Sequence, residues 1–325
     1  MTFVGVSTSI EWSGITTPGM IRNSLVKNRM FEMGAGAHVG SRMIWVAMTR
    51  DRAGLGPDLI RFLYSRLVPF HLRDVVGYLD ATLEIERFRD YAPNGLQVEG
   101  ALEVERVVTG VSASAELISR AVEAHADLIV VHHGLVWGSG LTKIAGPMAR
   151  RLKLLLGNDV SLAAYHLPLD KHARLGNNTG LADALALGPQ RETFGDVRGV
   201  ALGVSGSWPQ PLSRDEAIHR IAGGVLRGAL PRFVFPYGPE VVRKVGLCSG
   251  AASDLLEAAA GAHCDLYLTG ELAERSADLA KELQITLVAA GHVATEVFGP
   301  MRLADELRHR FPGLDAQFIS VANPL

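Results

Sequence analysis

Sliding the sequence along itself by 138 positions lays Val104–Gly134 over Val242–Leu272 without a gap. Val104/Val242, Val107/Val245, Ala113/Ala251, Leu117/Leu255, Ala121/Ala259, Ala124/Ala262, His125/His263, Asp127/Asp265 and Leu128/Leu266 are identical pairs, and His133 falls on Glu271. A second match, shifted by 126, lays Ala164–Asp170 over Ala290–Glu296, so that His166 meets His292 and Asp170 meets Glu296. The bland alternative is chance likeness between two units of similar composition. Coincident polar residues at the ends of apolar runs argue instead for duplication, with one α/β unit at about residues 100–180 and the other at about 240–310.

Within the first copy the pattern alternates. Arg106–Thr109 reads as a buried strand, Ala115–Ala124 as a helix, and Asp127–Val131 as a strand ending in His132-His133-Gly134. A helix over Gly146–Leu156 leads to a strand over Ser161–Tyr165 that ends at His166. Strands alternating with helices of this length predict a largely parallel sheet covered on both faces. Ahead of it, Leu59, Ile60, Leu63, Leu67 and then Leu72, Val75, Val76, Leu79 recur at helical spacing, and Pro69 divides them into two helices. Pro93-Asn94-Gly95 is a turn signal.

Residues 1–66 read as a poorly ordered N-terminal extension. The first 56 or so are rich in Gly, Ser, Thr and Met, poor in acidic residues, and not sustained in periodicity. That composition resembles a transit peptide, but an extension of the chain or an upstream start codon is the plainer reading, and no secretory signal pattern is present. The formal net charge of −2, from 32 basic and 34 acidic residues, gives no general electrostatic attraction to DNA, although a local basic rim such as Arg150, Arg151 and Lys153 stays open. Two cysteines, Cys248 and Cys264, build neither a disulfide framework nor a Cys-rich zinc site. No apolar run reaches the ~18 residues of a membrane span. A cytoplasmic protein is expected.

The chemistry gathers at strand ends, where ligands collect in open α/β sheets. Four such ends carry His132-His133, His166…Asp170, Gly270-Glu271 and His292…Glu296. Imidazole and carboxylate without thiolate suit zinc, iron, manganese or similar divalent ions. Adjacent strand residues point to opposite faces, so His132 and His133 do not share one ion from a regular strand; at a strand end they can diverge to two neighbouring ions. His292 and Glu296 lie one turn apart if the chain enters a helix there. Either Asp170 or Glu296 could bridge a pair of ions ~3.5–4 Å apart. By contrast, a His-His pair or a His-x-x-x-Glu alone is as often structural. His125 and His263, at matched helix-to-strand corners, read as structural, and His38, His71, His172, His219 and His309 as surface or packing residues.

Asn94-Gly-Leu-Gln97, Val131-His-His-Gly134, Tyr165-His-x-x-Leu-Asp170, Leu268-Thr-Gly-Glu271 and Gly291-His-x-x-x-Glu296 occur in that order. From about residue 67 onward the chain resembles the dinuclear-metal hexameric family called GTP cyclohydrolase I type 2, or NGG-one-interacting-factor-three-like. The resemblance implies two divalent ions (zinc, iron, manganese or magnesium) on His132, His133, Asp170, His292 and Glu296. It also implies an α/β fold of two similar lobes, each a mostly parallel or mixed sheet flanked by helices, with the metal site in the cleft between them. The lobes are expected at residues 67–190 plus 291–325 and at 191–290, without the domain some members insert, and the assembly as a homohexameric ring. Two departures are His166-Leu167, where many members have His-Thr, and His132-His133-Gly134 in place of His-His-Pro.

The activity implied is hydrolysis of a nucleotide or related phosphoester through a metal-activated water, with C8 of the guanine ring as the target in the cyclohydrolase version. Glu271 and His166 are the candidate acid/base or supporting residues. No Gly-x-x-x-x-Gly-Lys-Ser/Thr loop is present for GTP. The alternative is a non-enzymatic ring: a metal-binding scaffold, metal chaperone or adaptor. A nicotinamide enzyme is excluded because Gly110-Val-Ser-Ala lacks the glycine pattern of a pyrophosphate turn.

Overall fold

The two sequence copies become two parallel strand trios in a computed structural model that describes residues 69–324, apart from 139, 141 and 142. Strands β1 (Phe70–His71), β2 (Gly95–Val98) and β3 (Glu103–Val104) precede the first trio, and β1 pairs antiparallel with β3. The trio itself is β4 (Arg106–Ser112), β5 (Leu128–His133) and β6 (Ser161–Ala164). Next come the antiparallel hairpin of β7 (Glu192–Val197) and β8 (Val200–Ser213), then β9 (Phe233–Pro236). The second trio is β10 (Val241–Cys248), β11 (Leu266–Thr269) and β12 (Thr286–Ala289), and β13 (Asp315–Phe318) returns to lie parallel to β4. One sheet runs β13-β4-β5-β6-β2 and the other β7-β8-β10-β11-β12-β9. The fold is mixed α/β, with helices against the sheets. The extension and the expected helix ahead of Pro69 lie outside the described residues.

Burial explains the composition of the first trio. Leu128 and Val130 of β5 face a core that includes Leu72, Val75, Leu79, Leu303 and Leu307, from the helices Leu72–Thr82 and Phe298–Arg310. Ile129 and Val131 face the opposite core with Leu117, Ile118 and Leu155, from the helices Ala115–Glu123 and Gly146–Leu156. All four strand residues are fully buried, as expected for a strand covered on both sides. The second sheet repeats the arrangement, with Val245, Leu266, Leu268 and Val288 in one core and Tyr267 and Leu287 in the other. Cys248 and Cys264 are buried free thiols.

Matched residues do matched work. Asp127 Oδ2 accepts the backbone N–H groups of Glu105 and Arg106, both at 2.8 Å, and Asp265 Oδ2 accepts those of Arg243 and Lys244 at 2.7 and 3.0 Å. His125 and His263 both adopt the left-handed backbone region at the helix-to-strand corner, with φ of 55° and 59°. The copies differ where a cap is lost. Ser114 caps the first helix by accepting from the Leu117 N–H at 3.1 Å. Its counterpart is Ala252, which has no side-chain acceptor; the second copy starts with a 3-10 turn, Ser253–Leu255, and a helix of only Leu256–Gly261.

After β12 the chain forms the short helix His292–Glu296, then the helix Phe298–Arg310, whose Leu303 and Leu307 pack into a core of the first sheet. One stretch of chain therefore carries residues from the end of the second sheet to the first. Among the described residues, no helix is long and apolar enough to cross a membrane.

Candidate metal centre

Three imidazoles and two carboxylates meet, His132 and His133 from the end of β5 and Asp170, His292 and Glu296 from the short helices that follow β6 and β12. His132 ends fully buried, with Nδ1 donating to the Tyr165 carbonyl at 2.9 Å. That leaves Nε2 facing inward, 3.5 Å from Asp170 Oδ1 and 3.4 Å from Glu296 Oε1. The next residue, His133, sets Nδ1 against Ser112 Oγ at 3.1 Å and Nε2 against Glu296 Oε2 at 3.4 Å. From the second sheet, His292 donates from Nδ1 to Glu271 Oε1 at 2.6 Å, with Nε2 at 3.1 Å from Glu296 Oε1. In each imidazole Nδ1 is engaged away from the centre and Nε2 is directed into it, the orientation that metal-ligating histidines need.

The donor atoms form three overlapping groups: His132, Asp170 and Glu296; His133, His292 and Glu296, which shares that carboxylate; and His132, His133 and His166. Although the third group joins His132 and His133, the pair of triads that shares Glu296 divides them, one to each. It also separates the two carboxylates. Glu296 approaches three imidazoles, whereas Asp170 approaches one and has its Oδ1 held by Asn177 Nδ2 at 2.9 Å and Ser249 Oγ at 3.0 Å. Glycine makes the room: a Cβ on Gly250, whose φ is +67°, would lie 2.2 Å from Glu296 Oε1.

The electrostatics are those of a pocket short of positive charge. Burial would lower the pKa of His132, but the Asp170 and Glu296 charges outweigh it and lift it to about 9. His292 is likewise lifted to about 9 against its burial, by Glu296 and then Glu271. His133 goes the other way, to about 3, through burial and the charge on His132. Glu296 sits well below the usual carboxylate range; burial opposes ionisation, yet the surrounding imidazoles prevail. Asp170 is raised by burial. Two buried atoms at the heart of the site, His132 Nε2 and Glu296 Oε2, have no hydrogen-bond partner among the described residues. Such atoms are costly to bury and rare. A cation between them satisfies both, and the donor set fits a divalent metal.

Around the five, the remaining sequence candidates take supporting places. Glu271 lies against the outer nitrogen of His292 and holds that ring. The ring of His166 lies with its centroid 5.1 Å from His132 and 5.7 Å from His133. Its Nδ1 donates to Asp90 Oδ1 at 2.7 Å, which helps to hold the Asp90 carboxyl below its ordinary range although burial opposes it. Asp90, Ser112, Asn177 and Ser249 escaped the sequence reading because each touches the site from a segment with no metal-ligand pattern. The Asn94–Gln97 motif did carry the signal. Asn94 Oδ1 accepts the His166 N–H at 2.8 Å, and Gln97 Oε1 accepts those of Leu135 and Val136 at 2.8 and 3.1 Å, fixing the loop after His133. Gly134 is required where it stands, because a Cβ there would lie 2.3 Å from Gln97 Oε1. At Leu167, in place of a threonine, the backbone N–H donates to Asp90 Oδ2 at 2.8 Å.

A family model described as Duf34/NIF3 (NGG1p interacting factor 3) matches residues 70–324. The chain belongs to the NIF3 family. A relative from Vibrio cholerae called GTP cyclohydrolase 1 type 2 homolog is 41% identical over 248 residues, 76% of this chain and 96% of the relative. One from Pseudomonas aeruginosa with the same name is 41% identical over 256 residues, covering 78% and 98%. Among solved structures, the protein ybgI, described as of unknown function, superposes with a TM-score of 0.73 at 36% identity, covering 79% of this chain and all of that one. A Thermus thermophilus protein gives 0.70 at 35%, with the same coverage. The resemblance read from the ordered motifs is thus a family membership, and the NIF3 fold is shared with these structures.

Proposed function

We propose that His132, His133, Asp170, His292 and Glu296 hold two divalent ions (zinc, iron, manganese or magnesium) with Glu296 bridging them, and that the chain is a metal-dependent hydrolase of the GTP cyclohydrolase I type 2 kind. Its substrate is a nucleotide or related phosphoester. The observation that carries this reading is the Glu296 carboxylate shared by two triads, with buried atoms left for a cation to satisfy. The names of the bacterial relatives support the reaction class. The same reading takes the two sheets with their helices as lobes, the centre as lying in the cleft between them, and the assembly as a homohexamer, which light scattering checks.

Bound ions would supply an activated water and offset charge developing on the substrate. The protein's own part is to hold the ligands and move protons. Tyr165, Ser112 and Glu271 fix the three ligand imidazoles. At His166, Asp90 holds Nδ1 and so aligns Nε2 as the atom that gives or takes a substrate proton. Turnover of GTP and a phosphoester panel by protein loaded with each ion tests this. Activity is expected in the wild type, abolished in Glu296→Ala and lowered about 100-fold or more in His166→Gln. Two ions per chain with no turnover on any substrate would favour the metal scaffold instead.

A further inference from the structure

Exposed rings stand at the solvent side of the centre. His132 is fully buried, whereas Trp137 is 41% and Tyr91 45% exposed. The Trp137 ring lies 5.2 Å from the His166 ring and 5.8 Å from the His133 ring, centroid to centroid, and Tyr91 lies edge-on to His166 at 6.1 Å. These rings are fixed in place. Trp137 Nε1 donates to the Gly134 carbonyl at 3.1 Å, the Gly138 N–H to the Tyr91 carbonyl at 2.8 Å, and the Tyr91 N–H to Asp90 Oδ1 at 2.6 Å. Large exposed aromatics are held on a preset backbone where a core role does not require them.

A cation completes the rim. Arg198, at the turn between β7 and β8, sets its guanidinium 3.9 Å from the centre of the Tyr91 ring. Among the described residues the guanidinium of Arg198 rests on the Tyr91 ring with no carboxylate in an ion pair with it. Tyr91 is therefore the bed for a guanidinium whose N–H edges stay available, a geometry suited to phosphate. The turn belongs to the six-stranded sheet and Tyr91 precedes β2 of the other, so the rim, like the centre, draws on both.

We infer that Trp137 stacks on a planar heteroaromatic ring and that Arg198, seated on Tyr91, takes the anionic group of the same molecule, which makes this rim a nucleotide-reading site. Aromatic faces accept any base, so the rim selects the class of ligand rather than one base. The stacked ring lies beside His133 and His166, within reach of the chemistry. This inference deepens the hydrolase reading and rests on it only for calling the nucleotide a substrate; binding stands apart.

The test uses zinc-loaded full-length chain and calorimetric titration with GTP, guanosine and inorganic triphosphate. Trp137→Ala is expected to weaken GTP and guanosine by about 5- to 150-fold and to leave triphosphate unchanged, with most of the loss restored in Trp137→Phe. Arg198→Ala is expected to weaken GTP and triphosphate about tenfold or more and to leave guanosine unchanged. Zinc content stays at the wild-type level throughout. The inference is overturned if the wild type binds no GTP, if Trp137→Ala binds it like wild type, or if Trp137→Ala loses zinc together with binding. The two readings fail separately. The expected binding pattern without turnover removes the hydrolase and keeps the rim; turnover of GTP unchanged in Trp137→Ala removes the rim and keeps the hydrolase.

Discussion

The two copies of the repeated unit keep the same scaffold and exchange its chemistry. Asp127 and Asp265 tie strand starts alike, and His125 and His263 turn the same corner. At the ends of the strands the pairs diverge. Ser112 reaches the His133 ring, while its counterpart Gly250 has no side chain because Glu296 fills that space. His133 points into the centre, while its counterpart Glu271 holds His292 from behind. His292 joins a triad with the Glu296 carboxylate, while its counterpart His166 groups only with His132 and His133 and pairs its Nδ1 with Asp90; Glu296 meets three imidazoles and Asp170 one. The two parallel trios present two strand-end sets, and the differences between them gather the donors into one asymmetric cluster instead of two equal ones.

Exchanging the Ser112/Gly250 pair tests that asymmetry most harshly. Gly250→Ser places a Cβ against Glu296 Oε1 at a positive φ, so it is expected to empty both positions, measured as metal per chain by mass spectrometry. Ser112→Gly removes one hydrogen bond and is expected to weaken metal binding only about tenfold. Equal effects would remove the distinction between copies. Glu271→Gln is expected to cost about 10- to 100-fold in metal affinity by loosening the His292 ring, read by chelator competition.

The pH dependence sharpens the same contrast. In the metal-free pocket His132 and His292 titrate near 9 and His133 near 3, so below pH 9 two ligands carry protons that an ion must displace. Metal affinity is expected to rise between about ten- and a hundredfold per pH unit from 7 to 9 and then to level. A flat profile in the chelator titration would contradict this. Where the copies agree, they should respond alike. Asp127→Ala and Asp265→Ala each strip an acceptor from two backbone N–H groups and are each expected to destabilise by about 2 kcal/mol in urea unfolding.

Repetition and strand-end polarity made the trios and the ligand-bearing ends legible in the sequence. The helix at Gly146–Leu156 has the expected bounds, and His292–Glu296 does form a helical turn. The expected strand over Ser161–Tyr165 stops at Ala164, one residue before the Tyr165 carbonyl turns to His132. Asp90 was hidden because a turn-forming stretch gives no sign that its carboxylate reaches a histidine 76 positions away. That Glu296 lies against three imidazoles and Asp170 against one was hidden too, since spacing alone is the same for both.

Metal counted per chain in wild type, Asp170→Ala and Glu296→Ala, with each variant checked for folding by circular dichroism, tests the shared carboxylate directly. Two ions in the wild type, one in Asp170→Ala and none in Glu296→Ala is the expected series. Equal counts in the two variants, or a wild type holding a single ion, would show that Glu296 does not join two metal positions.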